Sequence, residues 1–210
     1  MNELLAIIQS DINRYYQIEG DSGSSPGVEK LKLILGNPSL HAVILYRFLR
    51  CIRKKVKNSI LRKIITVLTL PLTFWYQTIQ GIILDSEALI GPGLYIGHPG
   101  GIRIGPVKMG KNCNVAHNVT IGIGGRGEER GLPEFGDQVW IGAMSVIFGR
   151  IIVGDGTTIL PGTIISKNLP PKVTVAGNPG RIILRDSDNS EIIFGTHIQP
   201  QDLKPEDTNE

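Results

Sequence analysis

The 210-residue sequence predicts an α+β fold, in which a helical N-terminal segment precedes a parallel β-helix with one extruded loop. Three observations lead to this prediction. Apolar residues have helical spacing before residue 80, an apolar residue recurs at every sixth position after it, and one polar, glycine-rich stretch interrupts the repeat. We therefore expect a helical domain over 1–80, a β-helix over 81–183 and an acidic, loosely held tail over 184–210.

The first zone contains several helices separated by clear breaks. One short helix is expected before residue 20, and the turn-rich stretch GDSGSSPG at 20–27 ends it. Pro26 and Pro38 stand where the next two helices would begin, because proline is favoured in the first turn of a helix.

Residues 64–84 carry no charge and are long enough to raise the question of a membrane span, which needs about 20 apolar residues. Threonine and glutamine side chains dilute this stretch, and Pro71 interrupts it. The sequence therefore favours a buried or surface-lying helix over a span.

A six-residue repeat marks the second zone. Each apolar, mostly β-branched residue of the repeat is expected to point into the core of a short strand, and three hexads close one coil. Residues 18 apart then stack about 4.8 Å from each other. The repeat comprises Leu84, Ile90 and Ile96, then Met109, Val115 and Ile121, and then Ile141, Ile147, Val153, Ile159 and Ile165.

The repeat loses its phase at two places. The step from Ile96 to Met109 is 13 positions rather than 12, and HPGG lies within it. The step from Ile121 to Ile141 is 20 rather than 18, and it contains GIGGRGEERGLPEFGDQ. We interpret this polar segment as a loop extruded from the β-helix, a common place for functional residues.

Charge is distributed unevenly along the chain. The formal net charge of +3 is too small to indicate nucleic-acid binding, but eight Lys and Arg residues occur over 47–63 without any acid. Beside the apolar stretch, this makes 47–84 a candidate for peripheral contact with a membrane. The alternative is that these charges cover an ordinary helix.

Cysteine usage and the N-terminus predict a cytoplasmic protein. Cys51 and Cys113 are too few for a disulfide framework or a metal cluster, so we expect reduced thiols and no metal. The start, MNELLAIIQSDINRYY, has no basic segment followed by an apolar core and does not predict a signal peptide.

Several stretches together resemble the hexapeptide-repeat acyltransferases and, within them, the serine acetyltransferase branch. The resemblance covers about residues 8–185 and implies a left-handed β-helix, a homotrimer and acetyl-CoA bound in the groove between subunits. The stretches are NPSLHAVILYR at 37–47, GIILDSEALIGPGLYIGHPGGIRIG at 81–105, NVTIGIGG at 118–125 and VTVAGNPGRII at 173–183.

The resemblance implies that His98 is the general base that deprotonates the acceptor hydroxyl. An alcohol is a poor nucleophile at neutral pH, and imidazole is the usual base for this task. His117 is the competing candidate. It follows Val115 by two residues, as His98 follows Ile96, so one coil would place both imidazoles on one face about 4.8 Å apart.

An acidic partner for the base is less certain from the sequence. In the family this acid would fall at Ile83, but Asp85 lies two residues on and points to the same side of a strand. An acid there would fix the tautomer of His98 and stabilise the imidazolium. We expect Asp85 in this role, with Glu87 as a weaker alternative and an ordinary solvated turn acid as the other interpretation.

The resemblance also assigns a wall for acetyl-CoA. Lys167 and Arg181 would bind the nucleotide phosphates, since that end of the molecule is polyanionic. An ordinary solvated surface charge is the alternative for each of them. The other expected cofactor-binding residues are Trp140, Gly142, Ala143, Gly162 and Ser166.

Three departures from the serine acetyltransferase pattern concern the acceptor. Gly97 replaces an Asp before the base, Arg130 in the extruded loop lacks a following His, and Ser24 stands where an Asp is expected, with Asp21 nearby. A zwitterionic acceptor needs both charges matched.

These departures make O-acetylation of a sugar in surface polysaccharide assembly the first functional interpretation. A serine acetyltransferase of cysteine biosynthesis is the alternative, and a non-catalytic β-helix scaffold is the second alternative. Arg130 and His117 are the expected acceptor-binding residues in the catalytic interpretations.

Overall fold

The computed structural model describes residues 2–20 and 25–194. Two helices begin at Pro26 and Pro38, as the sequence predicts. The Asn37 side chain caps the second of them by accepting the N–H of Leu40 at 3.0 Å. The helices are α1 (Asn2–Glu19), α2 (Pro26–Gly36), α3 (Pro38–Lys55), α4 (Ser59–Phe74), which continues as a π-helical turn (Trp75–Ile79), and α5 (Ser190–Phe194).

Within the described residues, strands β1 to β14 follow the first four helices and build a β-helix of five coils, and β15 comes after them. They are β1 (Ile82–Leu84), β2 (Leu89–Ile90), β3 (Tyr95–Ile96), β4 (Ile102–Ile104), β5 (Lys108–Met109), β6 (Asn114–Val115), β7 (Thr120–Gly122), β8 (Glu134–Phe135), β9 (Trp140–Ile141), β10 (Val146–Phe148), β11 (Ile152–Val153), β12 (Thr158–Ile159), β13 (Ile164–Ile165), β14 (Val173–Ala176) and β15 (Arg181–Arg185).

The strands stack into three parallel sheets, one for each side of the coil. Sheet A contains β1, β4, β7, β10 and β13, sheet B contains β2, β5, β8 and β11, and sheet C contains β3, β6, β9, β12 and β14. Strand β15 runs antiparallel to β14. The predicted fold class, helices followed by a left-handed parallel β-helix with one extruded loop, is confirmed.

The residues of the six-residue repeat fill the interior of the coils. Ile141 pairs with Ile159 and Ile147 with Ile165, each 18 positions on, and all four are at most 2% exposed. Burying a side chain of this size contributes about 1.5–3 kcal/mol, so the stacked columns supply the main stabilisation of the β-helix.

The extruded loop is longer than the repeat alone indicated. Phe135 is the buried sheet B residue of the third coil, and it lies 14 positions after Ile121 where six would suffice. The loop therefore adds eight residues rather than two. The prediction of three six-residue steps between Ile121 and Ile141 was wrong, because the chain makes two such steps, through Phe135. Reciprocal backbone hydrogen bonds between Gly124 and Gly131, at 3.1 and 3.0 Å, close its base.

A buried ion pair fixes the helical domain to the first coil. Arg47 on α3 contacts the Asp11 carboxylate on α1 through Nε at 2.8 Å and Nη2 at 3.1 Å. Arg47 also donates to the carbonyls of Ile90 and Gly91, and Asp11 accepts the N–H of Gly93. Arg47 belongs to the basic segment of the sequence, but here it is a structural residue with no access to a membrane.

The C-terminal tail is not loose over its first part. The side chain of Ile193 on α5 is fully buried, and Arg14 on α1 donates to its carbonyl oxygen. Arg14 also lies over the Phe194 ring at 4.6 Å, and burial lowers its pKa to about 10. The prediction of a loosely held tail is therefore wrong for 184–194, because apolar residues there return to α1. Its remainder, 195–210, lies outside the described residues.

Candidate active site

His98 and His117 lie next to each other at one corner of the β-helix. Strands β3 and β6 pair Ile96 with Val115, and each histidine follows its strand by two residues. The two ring centroids are 6.2 Å apart, with an interplanar angle of 57°. His98 is exposed and His117 is half-buried. The sequence predicted this juxtaposition on successive coils, and the roles of the two imidazoles remain predictions.

Backbone geometry explains why His98 stands out from the corner. Gly100 and Gly101 both have positive φ, of 115° and 65°, which turns the chain sharply into β4. A Cβ at Gly101 would lie 1.9 Å from Oδ1 of Asn118 on the next coil, so only glycine fits. The N–H of Asn118 donates to the carbonyl of Gly100 at 2.8 Å, which fixes the two corners together.

The same corner continues along the β-helix as the expected acetyl-CoA wall. Met144 N–H donates to the His117 carbonyl at 3.1 Å, and Gly162 N–H donates to the Ala143 carbonyl at 2.8 Å. The corner from His98 to Gly162 thus spans three rungs, or about 14 Å. This column, parallel to the axis, suits an extended pantetheine chain.

Trp140 and Gly142 flank this column, and their contact with acetyl-CoA stays a prediction. Trp140 lies half-buried on the outer face of sheet C, in register with Asn114 and Thr158. A Cβ at Gly142 would lie 2.6 Å from the nitrogen of Pro161, so glycine permits the close stacking of these coils. Arg181 begins β15 at the last coil and is exposed.

A second corner, between sheets A and B, holds the other predicted site residues. Asp85 follows β1, Arg130 lies in the loop that leaves after β7, and Ser166 and Lys167 follow β13. Three-residue strands of sheet A separate this corner from the histidines by about 10 Å within one chain. The structure therefore does not bring these residues to the His98 corner of the same chain.

Asp85 makes a local contact in this structure. Its carboxylate accepts the N–H of Glu87 at 2.8 Å, and its own N–H donates to the carbonyl of Ile104 at 3.0 Å. These bonds are those of a turn at the second corner. Its partnership with His98 stays a prediction.

Arg103 is a candidate site residue that the sequence analysis did not identify. It lies between the buried Ile102 and Ile104 on β4, the strand that leaves the His98 corner, so its side chain points outward and is exposed. Its neighbours in register are Ile83 and Thr120. The described part of the chain contains no ion pair of Arg103. The alternation of apolar residues around it was the signal available in the sequence.

Cys113 lies in the core and has no access to a substrate. Cys113 is fully buried, and desolvation raises the pKa of its thiol to about 12, which keeps it protonated. Among residues 2–20 and 25–194, no group of three or more His, Cys, Asp or Glu side chains has an arrangement that would hold a metal ion.

No protein-family model matches the chain. Its curated relatives include the serine acetyltransferase of Helicobacter pylori strain 26695, which is 30% identical over 158 residues, or 75% of this chain and 88% of the relative. The serine acetyltransferase of Staphylococcus xylosus is 29% identical over 189 residues, or 89% of this chain and 81% of the relative.

Solved structures agree with these relatives. The serine acetyltransferase of Brucella abortus strain S19 in complex with coenzyme A has a TM-score of 0.73 and 27% identity, covering 90% of this chain and 70% of that one. The Neisseria gonorrhoeae enzyme in complex with serine has a TM-score of 0.70 and 25% identity, covering 87% and 70%. The chain belongs to the serine acetyltransferase family of acetyl-CoA-dependent O-acetyltransferases.

Proposed function

We propose that this protein transfers the acetyl group of acetyl-CoA to the hydroxyl of L-serine. The observation that carries this proposal is the exposed His98, paired with His117 at the corner that continues as the acetyl-CoA wall. Relatives and solved structures named serine acetyltransferase support this acceptor. They favour the alternative of the sequence analysis over its first interpretation, O-acetylation of a polysaccharide.

The reaction needs a base next to the acceptor hydroxyl and a thioester carbonyl within reach of the hydroxyl oxygen. His98 takes the proton of the acceptor hydroxyl, and the resulting alkoxide-like oxygen attacks the thioester carbonyl of acetyl-CoA. A backbone N–H of the glycine-rich corner stabilises the oxyanion. The C–S bond then breaks, and the CoA thiolate receives the proton that His98 holds. Atoms and charge balance without a metal or a covalent enzyme intermediate.

The separation of the predicted residues into two corners supports a homotrimer. Asp85, Arg130 and Lys167 lie at a different corner from His98, so a site that uses all of them would need two subunits. A neighbouring copy would bring its second corner to the histidine corner, with acetyl-CoA in the groove between them. Lys167 and Arg181 would then neutralise the nucleotide phosphates. We expect such a trimer in the cytoplasm.

Serine would need a cation for its carboxylate, and Arg103 offers one. The family's loop histidine is absent here, since Gly131 and Leu132 follow Arg130. Arg103 is an exposed guanidinium on the strand next to the base, and guanidinium binds carboxylates with two parallel hydrogen bonds. Asp21 and Ser24, which the sequence analysis considered for the amino group, lie outside the described residues.

A sugar hydroxyl is the second candidate acceptor, and the missing acids favour it. Gly97 stands where the family has an Asp beside the base and Ser24 stands where it has another, so two carboxylates that would match the amino group of an amino acid are absent. A neutral acceptor does not need them, because only a charged amino group must be matched on desolvation.

Release of free CoA distinguishes these functions. Purified protein is mixed with acetyl-CoA and either L-serine, a panel of sugars and nucleotide sugars, or no acceptor, and the thiol is measured. Turnover with serine supports the proposed function, and turnover with a sugar alone supports the second candidate. Failure to bind acetyl-CoA would instead favour the non-catalytic scaffold.

A further inference from the structure

The helix α4 and the turn after it present an apolar face to the outside of the molecule. No residue of Ser59–Phe74 is buried. Nine large apolar side chains between residues 60 and 75 are 48–73% exposed, which is unusual for a contiguous set on one helix. They are Ile60, Leu61, Ile64, Val67, Leu68, Leu70, Leu72, Phe74 and Trp75. We call this set the apolar face of α4.

The polar side of the same helix faces the protein. Thr69 and Thr73 are half-buried together with Ile65 and Tyr76, which makes one stripe along the inner side. The threonine hydroxyls donate to backbone carbonyls one turn back, at 3.0 Å for Thr69 and 2.9 Å for Thr73. The helix thus has the opposite orientation to an ordinary surface helix, whose apolar side would pack on the core.

A basic cluster adjoins the apolar face at its N-terminal end. Lys55, Lys57, Arg62 and Lys63 are exposed, and the described residues contain no ion pair for any of them. The segment 47–63 contains no acid that would offset their charge. We call these four residues the basic cluster.

We propose that α4 lies flat on an anionic lipid surface, with its apolar face among the acyl chains and its basic cluster at the headgroups. An amphipathic helix with lysines, arginines and terminal aromatics is suited to this position. The helix of 16 residues is about 24 Å long, which is shorter than the roughly 30 Å apolar layer of a bilayer.

Charge favours lipid as the occupant. Within the described residues, no helix combines the length and apolar character that crossing a bilayer requires. A second copy of this chain would bring the same uncompensated cations, whereas anionic headgroups neutralise them. Membrane docking does not depend on which acceptor the active site uses.

Sedimentation with vesicles tests this proposal. The whole protein is mixed with vesicles of phosphatidylcholine alone or of phosphatidylcholine with phosphatidylglycerol, and the bound fraction is measured. We expect binding to the anionic vesicles and a marked loss at high salt, because the headgroup attraction is screened.

Two matched substitutions on one helix separate the faces. Leu68→Gln on the apolar face should weaken binding at least about tenfold, because a leucine side chain that would be buried among the acyl chains is lost. Thr66→Gln introduces the same side chain at an exposed position outside the apolar face and should change little. The double variant Lys57→Gln with Lys63→Gln should bind anionic vesicles about fivefold more weakly per charge removed. Its binding to phosphatidylcholine vesicles should not change.

Three results would overturn the proposal. They are absence of vesicle binding by the unchanged protein, equal loss in Leu68→Gln and Thr66→Gln, and a fall in particle mass in Leu68→Gln without vesicle binding. The last result would assign the apolar face to a second copy. CoA release measured without vesicles, together with circular dichroism, confirms that each variant is folded and keeps this test separate from that of the acceptor.

Discussion

The ring centroids of His98 and His117 lie 6.2 Å apart, one coil from each other, and His98 is the more exposed of the two. Such a pair lets one imidazole act as the base while the other binds the acceptor. Exposure favours His98 as the base, since an acceptor reaches it without displacing protein. Substitution of each histidine separates the two roles.

The first prediction concerns His98. His98→Ala should lower kcat by at least about 100-fold, because general-base catalysis is lost, while the Kd of acetyl-CoA changes little. CoA release gives kcat, and calorimetry gives the Kd. Near-normal turnover in this variant would exclude His98 as the base.

The second prediction concerns His117. His117→Ala should raise the acceptor KM about tenfold or more, because one hydrogen bond to a charged group is lost, and it should lower kcat much less. His117→Gln should recover part of this loss, since the amide keeps a donor and an acceptor. A fall in kcat as large as that of His98→Ala, without a change in KM, would assign the base to His117 instead.

Much of this architecture could be predicted from residues 84–165. Ile141, Ile147, Ile159 and Ile165 keep a constant step, so their stacking is a direct consequence of the pattern. His98 and His117 lie on either side of a one-residue break in that pattern, and their equal offsets from Ile96 and Val115 indicated that they are neighbours. The extruded loop could not be placed accurately, because the sheet B residue Phe135 follows a segment without periodicity.

Three features depend on tertiary contacts that the sequence pattern does not reveal. Arg47 is a cation in a basic run, and only the position of Asp11 on α1 makes it a buried structural residue. The orientation of α4 could not be predicted either, because an amphipathic sequence does not determine which side of the helix faces the protein. The separation of Asp85 from His98 depends on which corner each residue occupies, and spacing along one strand does not fix this.

The third prediction restores an acid beside the base. A Cβ at Gly97 would make only ordinary contacts, 3.6 Å from the Tyr95 ring, so Gly97→Asp fits without strain. The new carboxylate would bind an amino group, and kcat/KM for L-serine should rise about tenfold. Steady-state CoA release measures this ratio. Gly97→Asn has the same shape without the charge and should show no such gain. If kcat/KM for L-serine falls in Gly97→Asp but not in Gly97→Asn, the prediction is contradicted.

The fourth prediction tests Arg103 as the cation for the serine carboxylate. Arg103→Gln should raise the KM for L-serine by about tenfold or more and leave the KM for acetyl-CoA unchanged, because a charge-assisted pair is removed. Lys111→Gln is the matched control, since Lys111 is an exposed cation at the corner between sheets B and C. Equal effects of the two substitutions would indicate a general loss of positive charge and exclude a specific role of Arg103.

The fifth prediction concerns the Asp11–Arg47 pair, whose side chains are 0% and 2% exposed. Arg47→Met should lower the free energy of unfolding by about 3–5 kcal/mol, because it leaves an uncompensated buried carboxylate. That is a large part of the roughly 5–15 kcal/mol total of a typical domain, and urea denaturation would detect it. The double variant Asp11→Leu with Arg47→Met should be more stable than Arg47→Met alone, since no buried charge remains. If the double variant loses the sum of both single effects, the two side chains are not coupled. The helical domain would then be held to the first coil by apolar packing.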